Sequence, residues 1–375
     1  MKRPDRTFAL APSIRAACLL FLPVVAILAG CAGTPAAPGE SAATPAQARA
    51  LIARLLPAGV DDRAGWSADL YAAFAVQEID PSPANICAAV AVIEQESSFR
   101  VDPVVPGLPK TAWAEIDRRA ERAGVPALVV RTALRLSSSD GRSYAERIDA
   151  VRTEKQLSDL FEELIGRVPL GERLFAGLNP IRTRGPMQVN VAFVERYKAH
   201  AYPYPARGSL DDELFTRRGG LFFGVAHLLD YPAGDDYLFR FADFNAGQFA
   251  SRNAAFQLAI GEASGIPLVA DGALVDRADP AHAGSTELAA RVVARRLDLS
   301  DGEVRRALEQ GRSQDLDRTA LYRGVFEIAE RNAGSALPRV VVPRIDLQGP
   351  KITRPLTTAW YANSVRARFD RCLKR

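Results

Sequence analysis

The sequence predicts a mostly α-helical protein, and three observations carry that expectation. Ser82 to Phe99, reading SPANICAAVAVIEQESSF, opens with a helix-start signal and is then apolar on every face from Ile86 to Ile93. Segments of helical period recur along the chain on both sides of it. The strand-like signal is one short run in the tail after Val340.

In chain order, Met1 to Gly30 reads as a targeting segment and is set aside from the fold. Lys2, Arg3, Arg6 and Arg15 make a basic start, Cys18 to Ala29 is apolar, and Leu28-Ala29-Gly30-Cys31 closes it. The closing four residues resemble the lipobox of bacterial lipoproteins, which implies that Cys31 becomes the lipid-modified first residue of the mature chain. Ala32 follows rather than Asp, so the resemblance implies an outer-membrane anchor with the body on the periplasmic face. The apolar run is too short for a spanning helix and holds Pro23. Residues 31–45, rich in Ala, Pro, Gly, Ser and Thr, read as a flexible tether. The folded body is expected over residues 46–375, about 330 residues, enough for a full core.

The body opens with helices expected at Ala46–Leu56 and Gly65–Gln77. In the next one Ser82 is a capping residue, and Pro83 sits at the first helical position, where its missing N–H costs nothing. Glu94 and Glu96 arrive as that helix ends. A carboxylate among Ile, Ala and Val is costly to ionise, so burial favours a proton held near neutrality, as a general acid requires. Helical position leaves the choice between the two open, because they point about 200° apart and both faces are apolar.

Roughly ninety residues separate this helix from Gly185, a long stretch that reads as an insertion over about 102–180. It holds its own helical patterns at Ala112–Arg122, Pro126–Leu136 and Glu154–Leu164, broken by a turn at Ser137–Gly141. Beside a cleft such an insertion serves as a lid, a wall or a partner surface, or is a neutral elaboration. Further on, Leu221, Phe222, Val225, Leu228 and Leu229 fall at helical spacing and read as core, in a stretch, Leu210–Leu229, that resembles the one long helix behind the cleft of lysozyme-like enzymes. Thr286–Arg296, Ser300–Gln310 and Thr319–Arg331 read as amphipathic helices, and a last helix starts near Thr357.

Several function classes are excluded. The formal charge of +4 overstates the mature chain, since the targeting segment contributes +3 and leaves +1. No basic run with interleaved aromatics supports nucleic-acid binding. His200, His227 and His282 are far apart, no His/Cys/Glu cluster has metal-ligand spacing, and no Gly-rich phosphate loop is present. Neither a metal nor another cofactor is expected.

Three short motifs stand in order. Glu96-Ser97-Ser98-Phe99 resembles the first motif of the soluble-lytic-transglycosylase family, a lysozyme-like group in which a Glu-Ser pair ends a buried helix. Gly185-Pro186-Met187-Gln188 resembles its Gly-Leu-Met-Gln turn, and Phe244-Asn245-Ala246-Gly247 resembles its Tyr-Asn-Ala-Gly turn. The whole chain also resembles a group of uncharacterised Gram-negative lipoproteins, which implies no activity. The transglycosylase resemblance implies a lysozyme-like core with a long helical insertion, peptidoglycan glycan strands as substrate, and Glu96 as the single catalytic carboxylate. It implies substrate contacts from Ser97, Met187, Gln188, Phe244 and Asn245. It also implies a late tyrosine, matched by Tyr322, whose hydroxyl steadies the carboxylate. Pro186 stands where the family has Leu and removes one backbone donor. Phe244 replaces Tyr, keeping a flat wall without a hydroxyl.

Enzymes of that family cut the MurNAc–GlcNAc bond with one Glu, the sugar's own 6-hydroxyl attacking to give a 1,6-anhydro product. Two other readings stay open. Asp243, beside the third motif, would supply the second carboxylate of a lysozyme-like hydrolase. A non-catalytic peptidoglycan-binding lipoprotein would keep the groove with Glu96 paired to Arg182 or Arg184. The sequence identifies no protein partner. Finally, Cys18 leaves with the targeting segment and Cys31 carries lipid, which leaves Cys87 and Cys372. In an oxidising periplasm a bridge between them is expected, the alternative being a small buried Cys87 and a frayed Cys372.

Overall fold

Thr44, Asp62 and Ser82 each accept the backbone N–H three residues on, and each starts a helix: α1 (Pro45–Leu55), α2 (Arg63–Val76) and α3 (Pro83–Glu96). These lie in a computed structural model that describes residues 43–167, 176–197, 202–206, 208–277, 279, 281–348 and 354–375. The expected targeting segment, Cys31 and the expected tether up to residue 42 fall outside the described residues.

The insertion follows as α4 (Leu108–Arg122), α5 (Ala127–Ala133), α6 (Tyr144–Ala150) and α7 (Glu154–Gly166). The helix expected at Pro126–Leu136 is shorter than its pattern, because α5 buries none of its side chains. A hairpin the sequence did not signal comes next. Strands β1 (Thr183–Arg184) and β2 (Val189–Asn190) pair antiparallel, Arg184 opposite Val189. Two-residue strands carry no alternation to read.

After α8 (Val191–Arg196), the helix expected over Leu210–Leu229 is broken into α9 (Leu210–Glu213) and α10 (Arg217–Leu229). The break has a physical cause. Thr216 takes an extended conformation and accepts the Gly219 N–H, starting a new helix. Behind it, Glu213 is 1% exposed and accepts the Tyr202 hydroxyl at 2.6 Å and the Arg218 guanidinium at 3.1 Å. Then come α11 (Tyr237–Ala246), α12 (Ala250–Ser264), α13 (Ser285–Ala294), α14 (Asp301–Glu309) and α15 (Ala320–Ala333). The tail pairs β3 (Asp346–Leu347) with β4 (Leu356–Thr357), and ends in α16 (Thr358–Leu373), capped by Thr357. The short strand-like run expected in the tail before the last helix is met by β3.

The protein is mostly α, as its sequence indicates, and residues 43–375 form one compact unit. Three apolar clusters fill it. The first surrounds α3, whose residues from Ile86 to Ile93 are all fully buried, with α1, α10 and α16 packed on them. A second lies among α12 to α15. The insertion makes a third around Leu134, Tyr144 and Leu160, joined by Ile181 and Phe215 from outside it. No described helix is long and apolar enough to cross a membrane.

Candidate active site

Glu96 is the last residue of α3, and the chain turns sharply behind it. Ser98 and Phe99 both take the left-handed region, with φ of 50° and 62°. For residues with a side chain this costs of order 1–3 kcal/mol each, and it clusters at functional sites. The turn is held from three sides. The Ser97 N–H and hydroxyl both donate to the Ile93 carbonyl, at 3.0 and 3.2 Å. Ser98 donates back to the Glu94 carbonyl, and the Phe99 ring sits edge-on to Trp66 at 5.1 Å. Ser97 thus caps the helix. Its hydroxyl is used there, at 6% exposure, instead of on the carboxylate or a substrate.

The partner of the Glu96 carboxylate comes from α16. The Tyr361 hydroxyl donates to Glu96 Oε1 at 2.5 Å. Burial first, and the adjacent Glu96 second, push the Tyr361 phenol well above its usual range, so it stays protonated and donates. Tyr322, expected in this role, lies elsewhere. It is on α15 in the second cluster, its ring 4.8 Å from Phe256 and 4.8 Å from Phe326. A signal for Tyr361 existed in the expected Cys87–Cys372 bridge. The two cysteines are joined, their Cα atoms 5.5 Å apart, which fastens the start of α3 to the end of α16. Antiparallel helices pinned there bring the start of α16 beside Glu96.

The same seam gives the two glutamates different partners. Glu94 faces the end of α16, 3.1 Å from Arg371 and 3.7 Å from Arg375, an ordinary structural ion pair. Glu96 faces Tyr361. Three residues before that tyrosine, one helical turn away, the Thr358 hydroxyl donates to Asn245 Oδ1 at 3.0 Å. One face of α16 therefore holds the first and third motifs together. Asn245 is exposed, and its amide N–H₂ has no protein partner among the described residues.

The second motif is the loop of the β1–β2 hairpin. Gly185 has φ of 75°, and a Cβ there would stand 1.9 Å from the Leu214 carbonyl oxygen, so only glycine fits. Met187 is fully buried, filling the space left by Gly224, and has no surface for a substrate. Gln188 is partly exposed, also left-handed with φ of 51°. Its amide accepts from Thr183 at 2.8 Å and donates to Gly185 O at 3.2 Å and Glu154 of the insertion at 3.4 Å. No hydrogen bond joins Gln188 to Glu96 among the described residues. Arg184 is engaged with Glu162 at 3.2 Å and stacks on Phe215.

Two further expectations need correction. Phe244 is 7% exposed with its ring 4.8 Å from His227, so it is core rather than an open wall. Asp243 turns inward, where it accepts the Ser251 N–H at 2.6 Å and the Tyr231 hydroxyl at 3.1 Å. Burial outweighs these donors and pushes its carboxyl up to about 6. It joins α11 to α12 and is not placed as a second catalytic carboxylate.

Comparison with known proteins names no reaction. An uncharacterised Escherichia coli K12 protein, YaiW, is 49% identical over 356 residues, covering 95% of this chain and 97% of that one. No solved structure matches. The sequence model of the family described as "Protein of unknown function (DUF1615)" matches residues 59–375, and the chain belongs to that family.

Proposed function

We propose that this protein is a peptidoglycan lytic transglycosylase with a lysozyme-like core, anchored by lipid on Cys31 to the periplasmic face of the outer membrane. The observation that carries the reading is the 2.5 Å hydrogen bond from Tyr361 to Glu96, on the helix face that also holds Asn245. Together these set a carboxylate at a buried helix end beside an exposed amide able to bind a sugar acetamido or hydroxyl group. In the reaction, Glu96 protonates the leaving glycosidic oxygen as the bond to the anomeric carbon breaks. The resulting carboxylate then takes the proton of the 6-hydroxyl while that oxygen bonds to the same carbon. The carboxylic acid is regenerated and no water is consumed. An attack from within one ring gains from proximity.

The inward turn of Asp243 weighs against a two-carboxylate hydrolase. The commitment of Arg184 to Glu162 weighs against its pairing with Glu96 in a binding module. The test is the mass of muropeptides released from purified sacculi. Anhydro products, one water lighter than hydrolytic ones, support the proposal. Hydrolytic masses move the protein to the lysozyme-like reaction, and no release moves it to glycan binding.

A further inference from the structure

A cavity of about 1080 Å³ opens beside the third motif, walled on one side by Ala246, Gly247 and Gln248. The far wall belongs to the second helical cluster, with Gln257, Thr286 and Leu308 on it. Four arginines line it, from four separate segments: Arg196 ends α8, Arg277 precedes α13, Arg312 follows α14 and Arg344 precedes β3. Among the described residues none of these guanidinium groups is in a hydrogen bond or ion pair. Arg217, by contrast, is committed to Asp62 and Asp69, both at 2.6 Å.

Arg196, Arg277 and Arg312 are close enough to oppose one another. Burial first, then the charges of Arg277 and Arg196, pull the Arg312 guanidinium down to about 10. Burial and Arg196 also lower Arg277. Three carboxylates line the same cavity without relieving this. Asp271 accepts from Gln257 and from the Ala273 N–H, both at 2.8 Å, and Asp276 from the Asp279 N–H at 3.2 Å. Among the described residues Asp271 and Asp346 form no ion pair with the four arginines. A second kind of vacancy adds to the charge. His227, 8% exposed and held between Phe193 and Phe244, lines the cavity with a buried Nδ1 that has no protein partner.

We propose that this cavity binds a ligand carrying two or more carboxylate or phosphate groups, held chiefly by Arg196, Arg277 and Arg312. Guanidinium forks match both anions in bidentate geometry, and mutual repulsion among unpaired arginines is what such a ligand removes. The volume suits a molecule of several hundred Å³ with one apolar side, for which Phe193 and Leu308 provide contact. The proposal goes beyond glycan cleavage, and binding is read without turnover.

The experiment is calorimetric titration of the full chain in detergent at low salt with citrate and, separately, pyrophosphate. At least one probe binds saturably. Citrate alone identifies carboxylates as the ligand groups, and pyrophosphate alone identifies phosphates. The double substitution Arg277→Gln with Arg312→Gln weakens binding by about tenfold or more, the scale expected for hydrogen bonds to charged groups. Arg196→Gln, on a different element, makes the same comparison if the double variant does not fold. Absence of saturable binding for both probes, or unchanged affinity in a folded variant, overturns the proposal.

Discussion

Glu96 and Glu94 stand two residues apart on one helix, and what separates them is the residue each meets on α16. A phenol that stays protonated is a directional donor to Glu96, whereas Arg371 and Arg375 give Glu94 a charge pair of the structural kind. Tyr361→Phe removes only the hydroxyl. It is expected to lower glycan cleavage about 10–100-fold with unchanged circular dichroism, since a hydrogen bond to a charged group contributes on that scale. Activity equal to the wild type would contradict the assigned role. Asp243 gives a separate expectation. Its carboxyl titrates at about 6 in the folded chain and near 3.9 unfolded. The folded state therefore holds the proton more tightly, and ionising this group costs stability as pH rises from about 4 to about 6. His227, pulled down to about 4 by burial and Arg196, acts oppositely, losing stability as pH falls from 6.5. Only a difference isolates Asp243. The stability of Asp243→Asn minus that of the wild type should rise by about 2–3 kcal/mol from pH 4 to 6.5 in urea unfolding. A flat difference would show that Asp243 titrates alike in both states.

At the scale of elements, α16 is the part that completes the site, and it lies at the far end of the chain from α3. The bridge between Cys87 and Cys372 spans a sequence separation of 285. Replacing both cysteines by Ala removes about 5 kcal/mol in the chain-entropy account, often less in practice. Thermal melting of the double variant should fall clearly below that of the oxidised wild type, and glycan cleavage should fall with it as Tyr361 loosens. Equal melting temperatures would contradict the assignment. Much of this architecture was legible. The expected starts of α1, α3, α14, α15 and α16 lie within a residue or two of the observed ones, and in the structure each follows a Ser or Thr cap, of which Ser82 alone was read as one from the sequence. The break before α10 falls at Thr216, a capping residue type ahead of the apolar run that starts at Leu221, and the single-helix expectation passed over it. Tyr322 was matched by its order along the chain, but α12 to α15 form a cluster of their own before the chain returns to α3. Met187 and Phe244 show a related limit. A motif gives residue types, and whether a side chain lines a groove or fills the space over a glycine depends on partners distant in sequence.

For the molecule as a whole, the proposal joins a helical body to a lipid anchor through a tether, which lets the body reach the cell wall while its anchor stays in the bilayer. Native protein should partition with membranes, and Cys31→Ser should abolish lipid attachment, read from the mass of the N-terminal peptide. A variant that still carries lipid would refute the anchor. The three apolar clusters give the body its stability, while the candidate site draws on residues from α3, α11 and α16. The insertion meets the β1–β2 hairpin through Glu154 and Gln188. The central claim is that Glu96 cleaves glycan. Its most direct test is release of soluble muropeptides from purified sacculi by the wild type and by Glu96→Gln, compared at matched thermal stability. The account predicts anhydro muropeptides from the wild type and a loss of about a thousandfold or more in the variant, whose amide can neither give nor take the proton. Equal release by the two proteins, or none from the wild type, would contradict it.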